Sequence, residues 1–214
     1  MGEVICQDAL VFLKSLKEKP SLILTDIPYG EVNRKSGGLR NLDKGHADVV
    51  TFDLEELACS FVNNSGKNAS IYVFCGTEQV STLRRTFVSH KLSTRLCIWK
   101  KRAPSPMNCQ YLWLSDVECC VYARKPKGTF NGKYLSSVWE ELSSRNKFHP
   151  TEKPLSLMKK LIEVSSNKGD LVVDPFCGGG STLVAAKELG RRYAGCDKNS
   201  DCVNITLGRL VNVN

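Results

Sequence analysis

The chain has 214 residues, 42% of them apolar and 24% charged, the proportions of an ordinary globular protein with enough length for a full core. No apolar run approaches the ~20 residues of a membrane helix, and the opening MGEVICQDAL lacks the basic-then-apolar layout of a signal peptide, so a cytoplasmic protein with no membrane partner is expected. The formal net charge of +8 speaks against a small-molecule substrate and for a polyanion such as nucleic acid.

In chain order, residues 4–6 read as a strand and 9–17 as a helix with Leu10, Leu13 and Leu16 on one face. Strands follow at 21–25, 71–75, 96–99, 117–123, 171–173 and 193–196, and helices at 54–62, 154–166 and 181–189. Strands alternating with helices imply an α/β protein with a mostly parallel, doubly wound sheet covered on both faces. Residues 30–48 are polar, glycine-rich and basic, and 102–115 are proline-rich with aromatics; loops of that length are usually mobile or functional. The ten cysteines contain no C-x-x-C pair, and Cys6, Cys75, Cys97, Cys119, Cys120 and Cys196 fall in apolar strand-like runs. Buried free thiols in a reducing cytosol are expected, and no metal site.

The ends of the strands carry the chemistry. In LVVDPFCGGGSTLVAAKELG (171–190) a strand ends at Asp174, a glycine cluster follows, and Ser181 or Thr182 is placed to cap the next helix. In RRYAGCDKN a second strand ends at Asp197, about twenty residues further on, a spacing that suits a ribose diol. A dinucleotide site would need a third glycine after Gly180, which is missing, and Asp174 would repel pyrophosphate but attract a cationic ligand such as S-adenosylmethionine. The first strand runs into Asp8, which would reach an adenine amino group, and LILTDIPYG ends a strand at Asp26. If the C-terminus were joined to the N-terminus, these strands would form one continuous half of a nucleotide-binding fold. The order therefore reads as a circular permutation, with Asp174, Asp197, Asp8 and Asp26 on neighbouring strand ends.

With DIPY (26–29) ahead of FCGGG (176–180), and HPTEKPLSLMKKLI (149–162) between them, the chain resembles the beta group of DNA amino-methyltransferases. QDAL, DPFCGGGST and GRRYAGCD match as well, so the resemblance spans nearly the whole chain. It implies a Rossmann-like methyltransferase fold with an antiparallel hairpin at one edge, in a single domain over 1–214. It further implies S-adenosylmethionine as cofactor, and double-stranded DNA methylated at adenine N6, with cytosine N4 as the alternative. The cofactor-binding positions carried over are Asp8, Ala9, Asp26, His149, Thr151, Lys153, Asp174, Phe176, Cys177 (through its backbone), Gly178, Gly180, Ser181, Thr182, Asp197 and Lys198. Dimers are common in the family, so a homodimer is one expected assembly, and any restriction endonuclease would be a separate chain.

An exocyclic amine is a poor nucleophile because its lone pair is delocalised into the ring. Acceptors aimed at its two N–H bonds favour a tetrahedral nitrogen. The Asp26 carboxylate and the Ile27 carbonyl would be those acceptors, with Pro28 fixing the direction and Tyr29 presenting a flat face to a flipped base. The family's usual first proline is Ile27 here, which lowers the expected rigidity. Arg34, Lys35, Arg40 and Lys44 in the loop at 30–48 would cover the target strand. A short target-recognition insert spans 103–148, and Lys101, Arg102, Arg124 and Lys125 would hold phosphates, interleaved with Trp99, Tyr111, Trp113 and Tyr122. A silent DNA binder and an RNA or protein-amide methyltransferase are the rival readings.

Overall fold

A computed structural model of the protein describes residues 2–29, 52–104, 113–142 and 152–213. Strand β1 (Gly2–Cys6) leads into helix α1 (Ala9–Ser15), which starts where the Asp8 carboxylate accepts the Leu10 and Val11 N–H groups at 2.9 and 3.2 Å. Strand β2 (Leu22–Asp26) is buried along its whole length except at Asp26. Helix α2 (Leu54–Asn64) is capped by Asp53, and strand β3 (Ser70–Cys75) is buried at every position. A single 3₁₀ turn (Thr77–Gln79) then opens α3 (Val80–Ser89). Strands β4 (Ser93–Lys101), β5 (Val117–Arg124) and β6 (Val138–Glu141) follow. The remainder alternates: α4 (Leu155–Ser165), β7 (Leu171–Asp174), α5 (Ser181–Glu188), β8 (Arg192–Asp197) and α6 (Ser200–Val211).

The eight strands form one sheet in the order β1-β8-β7-β2-β3-β5-β4-β6. Every pairing is parallel except those of β5 with β3 and β4, so β5 alone runs against the rest. The doubly wound α/β fold is therefore as expected, with two corrections. The β4–β5 hairpin does not form the edge, because β6 pairs with β4 outside it. Helices α3 and α6 and strand β6 add to the ranges read from sequence: β6, VWEE, is too short and too charged to stand out from a polar insert.

Residue alternation in the strands separates two cores. Ile71, Val73 and Cys75 face α1, α2 and α3 with Phe12, Leu57, Phe61, Leu83 and Phe87. Tyr72 and Phe74 face α4 and α5 with Trp99, Trp139, Leu157, Leu161 and Ala185. Cys119 joins the first cluster and Cys120 the second, as neighbouring strand residues must. The described cysteines are free thiols, buried except for Cys59, which is partly exposed, and Cys6, which is exposed rather than in the core.

The sheet positions the site. From β7 the chain steps outward to β8, with β1 next beyond it in the sheet, and from β2 it steps the other way to β3. The order reverses between β7 and β2, where sheets of this kind bind ligands beyond the carboxyl ends of the strands. The β2–β7 ladder stops at Ile23 opposite Val173, so the two strand ends part above it and leave a crevice.

Candidate active site

Along that crevice the strand order places Asp8, Asp197, Asp174 and Asp26 in succession on β1, β8, β7 and β2. Each carboxylate is set by local contacts. Asp174 is buried, and its Oδ1 accepts from the Thr25 hydroxyl at 2.7 Å and the Phe176 N–H at 3.1 Å, tying β7 to β2 across the gap. Burial pushes its carboxyl up to about 7, against the pull of these hydrogen bonds. Asp197 accepts the Gly178 N–H and the Asn199 N–H, both at 2.9 Å, and so shapes the glycine loop from β8. Asp8 caps α1 and pairs with Lys198 at 2.9 Å; although partial burial opposes it, Lys198 and the capping N–H groups hold its carboxyl below the usual range.

The glycine loop is drawn tight by Cys177 N–H to Cys196 O and Gly180 N–H to Cys177 O, at 2.9 and 2.7 Å. Gly180 has φ +80° and stands at the N-cap of α5, where a Cβ would come within 2.7 Å of Thr206. Gly178, at φ +48°, has open space where a Cβ would sit, while its N–H is donated to Asp197 and its carbonyl accepts from the Thr206 hydroxyl at 2.9 Å. The expected helix cap is corrected here: Ser181 and Thr182 lie inside the first turn of α5, with their hydroxyls turned to Glu152 at 2.9 Å and to Met158 Sδ at 3.7 Å. Arg209 on α6 donates to Gly179 O and pairs with Glu152 at 2.9 Å, so α6 and Glu152 brace the loop together. Glu152, Arg209, Thr206 and Thr25 escape a motif reading because their partners lie far off in sequence. Phe176 packs its ring against Phe52 at 5.5 Å, and Ala9 is buried at the start of α1.

The tetrapeptide sits at the end of β2. The Asp26 carboxylate accepts from the Tyr29 hydroxyl at 2.5 Å and from Lys153 Nζ. Burial raises its carboxyl, while Lys153 acts against the rise. Lys153, expected in the cofactor pocket, thus has its ammonium on the Asp26 carboxylate, and its two carboxylate neighbours hold it protonated despite burial. Tyr29, expected as a stacking plate alone, also has a hydroxyl committed to Asp26. The Ile27 side chain is 1% exposed in the first core, and its N–H donates to Phe74 O at 3.2 Å. A proline there could not make that bond. Packing and a ladder hydrogen bond hold this position in place of a locked ring. Gln79 pins the next peptide: its Nε2 donates to Pro28 O at 3.0 Å while its Oε1 accepts the Gly76 N–H at 2.9 Å.

The expected DNA contacts divide. Arg34, Lys35, Arg40, Lys44, His149 and Thr151 lie outside the described residues. Arg102 is exposed beside the site end of β4. Lys101 pairs with Glu118 at 2.9 Å and is mostly covered. Arg124 and Lys125 are misplaced by the sequence reading. Because β5 runs backwards, Arg124 is opposite Ser70, at the other end of the sheet, six residues or about 20 Å from Glu118. Lys125 Nζ donates to Val62 O and Ser65 O at 2.8 and 3.0 Å, closing the C-terminus of α2, and Arg124 Nε donates to Gly128 O at 2.8 Å. Of the aromatics interleaved with these charges, Trp99 is core, Tyr122 packs on the core and Trp113 is fully exposed.

A doubly wound sheet with a glycine loop after one strand, acids at four neighbouring strand ends and the DIPY tetrapeptide at the switch point is the architecture of a Rossmann-like methyltransferase. A family model of DNA methylases, those acting at N6 or N4 positions, matches residues 21–207. The chain belongs to this DNA methylase family. It is 26% identical to the type II methyltransferase M2.DpnII of Streptococcus pneumoniae over 97% of this chain and 88% of that protein. A local match, 37% identical over 95 residues (42% of this chain and 32% of the relative), joins it to the DNA adenine methyltransferase YhdJ of Escherichia coli. The solved structure of M1.HpyAVI in complex with SAM superposes with a TM-score of 0.78 at 25% identity, covering 98% of this chain and 100% of that one. Among the described residues no helix is long and apolar enough to cross a membrane.

Proposed function

We propose that the protein methylates the exocyclic N6 amine of adenine in double-stranded DNA, with S-adenosylmethionine as methyl donor. The observation that carries this reading is the Asp26 carboxylate at the switch point, one strand away from the glycine loop and tied to it through Thr25 and Asp174. The residues fit the cofactor: free space over Gly178 where a side chain would stand, the buried acid Asp174 for a cationic group, and acids on the next two strand ends for hydroxyl and amino groups. Bound there, S-adenosylmethionine supplies a methyl group on a sulfonium. Asp8, Asp174, Asp197 and the backbone of 176–180 would hold it, and the family resemblance adds His149, Thr151, Ser181, Thr182 and Lys198 to the cofactor-binding set.

Asp26 and the Ile27 carbonyl accept the two N–H bonds of the amine and direct its lone pair out of the ring. Held there, S-adenosylmethionine would offer its methyl to that lone pair, with the thioether sulfur keeping the C–S pair as leaving group. The nitrogen becomes acidic only then, and its proton passes to solvent. Tyr29 and Lys153 orient the Asp26 carboxylate. The target base reaches the crevice by leaving the duplex stack. The segments 30–48 and 103–116 serve as target cover and reader, with Arg102 and Lys101 nearest the strand ends; the insert expected over 103–148 is narrower than that, because β5 and β6 within it belong to the sheet. Asp26 at the head of the tetrapeptide and the local likeness to an adenine methyltransferase favour adenine over cytosine N4. Incubation with S-adenosylmethionine and unmethylated duplex, then mass spectrometry of the nucleosides, tests this. A methyl on deoxyadenosine is expected; a methyl on deoxycytidine N4 overturns the base, and none on either overturns the activity.

A further inference from the structure

Beside the acceptor carboxylate lies a second covered acid that this chemistry leaves without a role. Glu118 is the second residue of β5, paired across the sheet with Trp99 and therefore on the face that carries Asp26 and Phe74. Its side chain is 20% exposed; Oε1 lies 2.9 Å from Lys101 Nζ and Oε2 lies 3.1 Å from Lys153 Nζ. Lys153, 6% exposed, touches Asp26 on its other side and lies 3.3 Å from the Tyr29 hydroxyl, over the Phe74 ring. Lys101, Glu118, Lys153 and Asp26 thus form a row of alternating sign with no net charge.

An ammonium with one carboxylate neighbour in so covered a place would be fixed on it, and that carboxylate would be a poor acceptor for anything else. With a carboxylate on each side, Lys153 can move toward one as the other takes a new partner. The reaction proposed above also brings a positive charge onto the base beside Lys153, which costs less in a neutral row than in one carrying an extra positive charge.

We propose that Glu118 is a positioning residue for methyl transfer: it draws the Lys153 ammonium off Asp26 when the target amine arrives, and it keeps the pocket neutral as charge reaches the base. This rests on the function proposed above, so its test has one reading that needs no activity. The titratable groups about Asp26 are Tyr29 on its own segment, Cys120 and Glu118 on β5, Lys153 before α4 and Asp174 on β7, with Cys75 of β3 on the opposite face of the sheet and Lys101 of β4 behind Glu118. Burial is the main cause of the raised Asp26 carboxyl, and the Glu118 charge adds to it.

Glu118→Gln should lower kcat about ten- to a hundredfold while cofactor affinity stays within about twofold. The acid limb of the kcat profile should move to lower pH. In cofactor-free protein the 13C carboxyl resonance of Asp26 should titrate at lower pH in Glu118→Gln and at higher pH in Lys101→Met, which leaves the Glu118 charge less opposed. Glu118→Asp should restore the limb and most of the rate. Unchanged kcat, or an Asp26 titration that both variants leave in place, overturns the proposal. If Glu118→Gln does not fold, the Lys101→Met and Glu118→Asp readings decide. A wild-type protein that methylates no DNA refutes the function instead, and the titration alone then decides whether Glu118 governs Asp26.

Discussion

Asp174→Asn separates the electrostatics of the cofactor crevice from its shape. The Asp174 carboxyl, ordinarily at 3.8, is pushed up to about 7, chiefly by burial. At about 1.36 kcal/mol per pH unit, that gap corresponds to about 4 kcal/mol between the pH extremes. Its sign is definite. The folded value lies above the unfolded one, so the contribution to stability is complete below about pH 4 and is lost as pH rises through about 7. Asparagine keeps the size and still accepts from Thr25, but does not titrate. Urea unfolding at pH 4 and pH 8.5 should therefore show the variant losing about 4 kcal/mol less than the wild type over that interval. The same charge should govern the cofactor. A bound cation favours ionised Asp174, so wild-type affinity for S-adenosylmethionine should rise from pH 5 to pH 8, with proton release visible by calorimetry in buffers of different ionisation enthalpy. The variant should bind more weakly and with no such slope. Equal pH slopes in the two proteins, for both stability and binding, would refute the assignment of a buried, cation-seeking acid at the end of β7.

Three further substitutions test neighbouring claims. Asp197→Ala removes the acceptor for the Gly178 N–H and should weaken cofactor affinity by about 2 kcal/mol or more, with a smaller effect on kcat at saturation, read by calorimetry and single-turnover kinetics. Ile27→Pro restores the family's commoner residue but deletes the N–H donated to Phe74 O, and it should cost about 1–3 kcal/mol of stability in urea without raising the rate. Lys125→Met should destabilise the fold by about 1 kcal/mol through the C-terminus of α2 and leave the salt dependence of DNA binding unchanged; a reduced salt slope would return Lys125 to the DNA interface.

The strand ends were legible because each is a short apolar run closed by an acid, and because an acid followed by glycines has few uses in a parallel sheet. The permuted order followed from the chain positions of Asp174, Asp197, Asp8 and Asp26 alone, and the sheet order bears it out. Charge was read less well. Lys125 and Arg124 look like phosphate ligands in a linear string, yet their side depends on the reversal of β5, which no local pattern reveals. Glu118 looked like an ordinary strand residue; only the pairing of β5 between β3 and β4 brings it to Lys153. Ile27 stood out as a departure from the motif, and its compensation, a ladder hydrogen bond to β3, belongs to tertiary structure.

The central claim is that Asp26 acts on the amine and not on the cofactor. Transfer of labelled methyl to unmethylated duplex by Asp26→Ala, with S-adenosylmethionine affinity measured on the same preparation, tests it most directly. Transfer should fall at least about a thousandfold, with cofactor affinity within a few-fold of wild type. Transfer near the wild-type rate, or cofactor binding lost in step with activity, would contradict it.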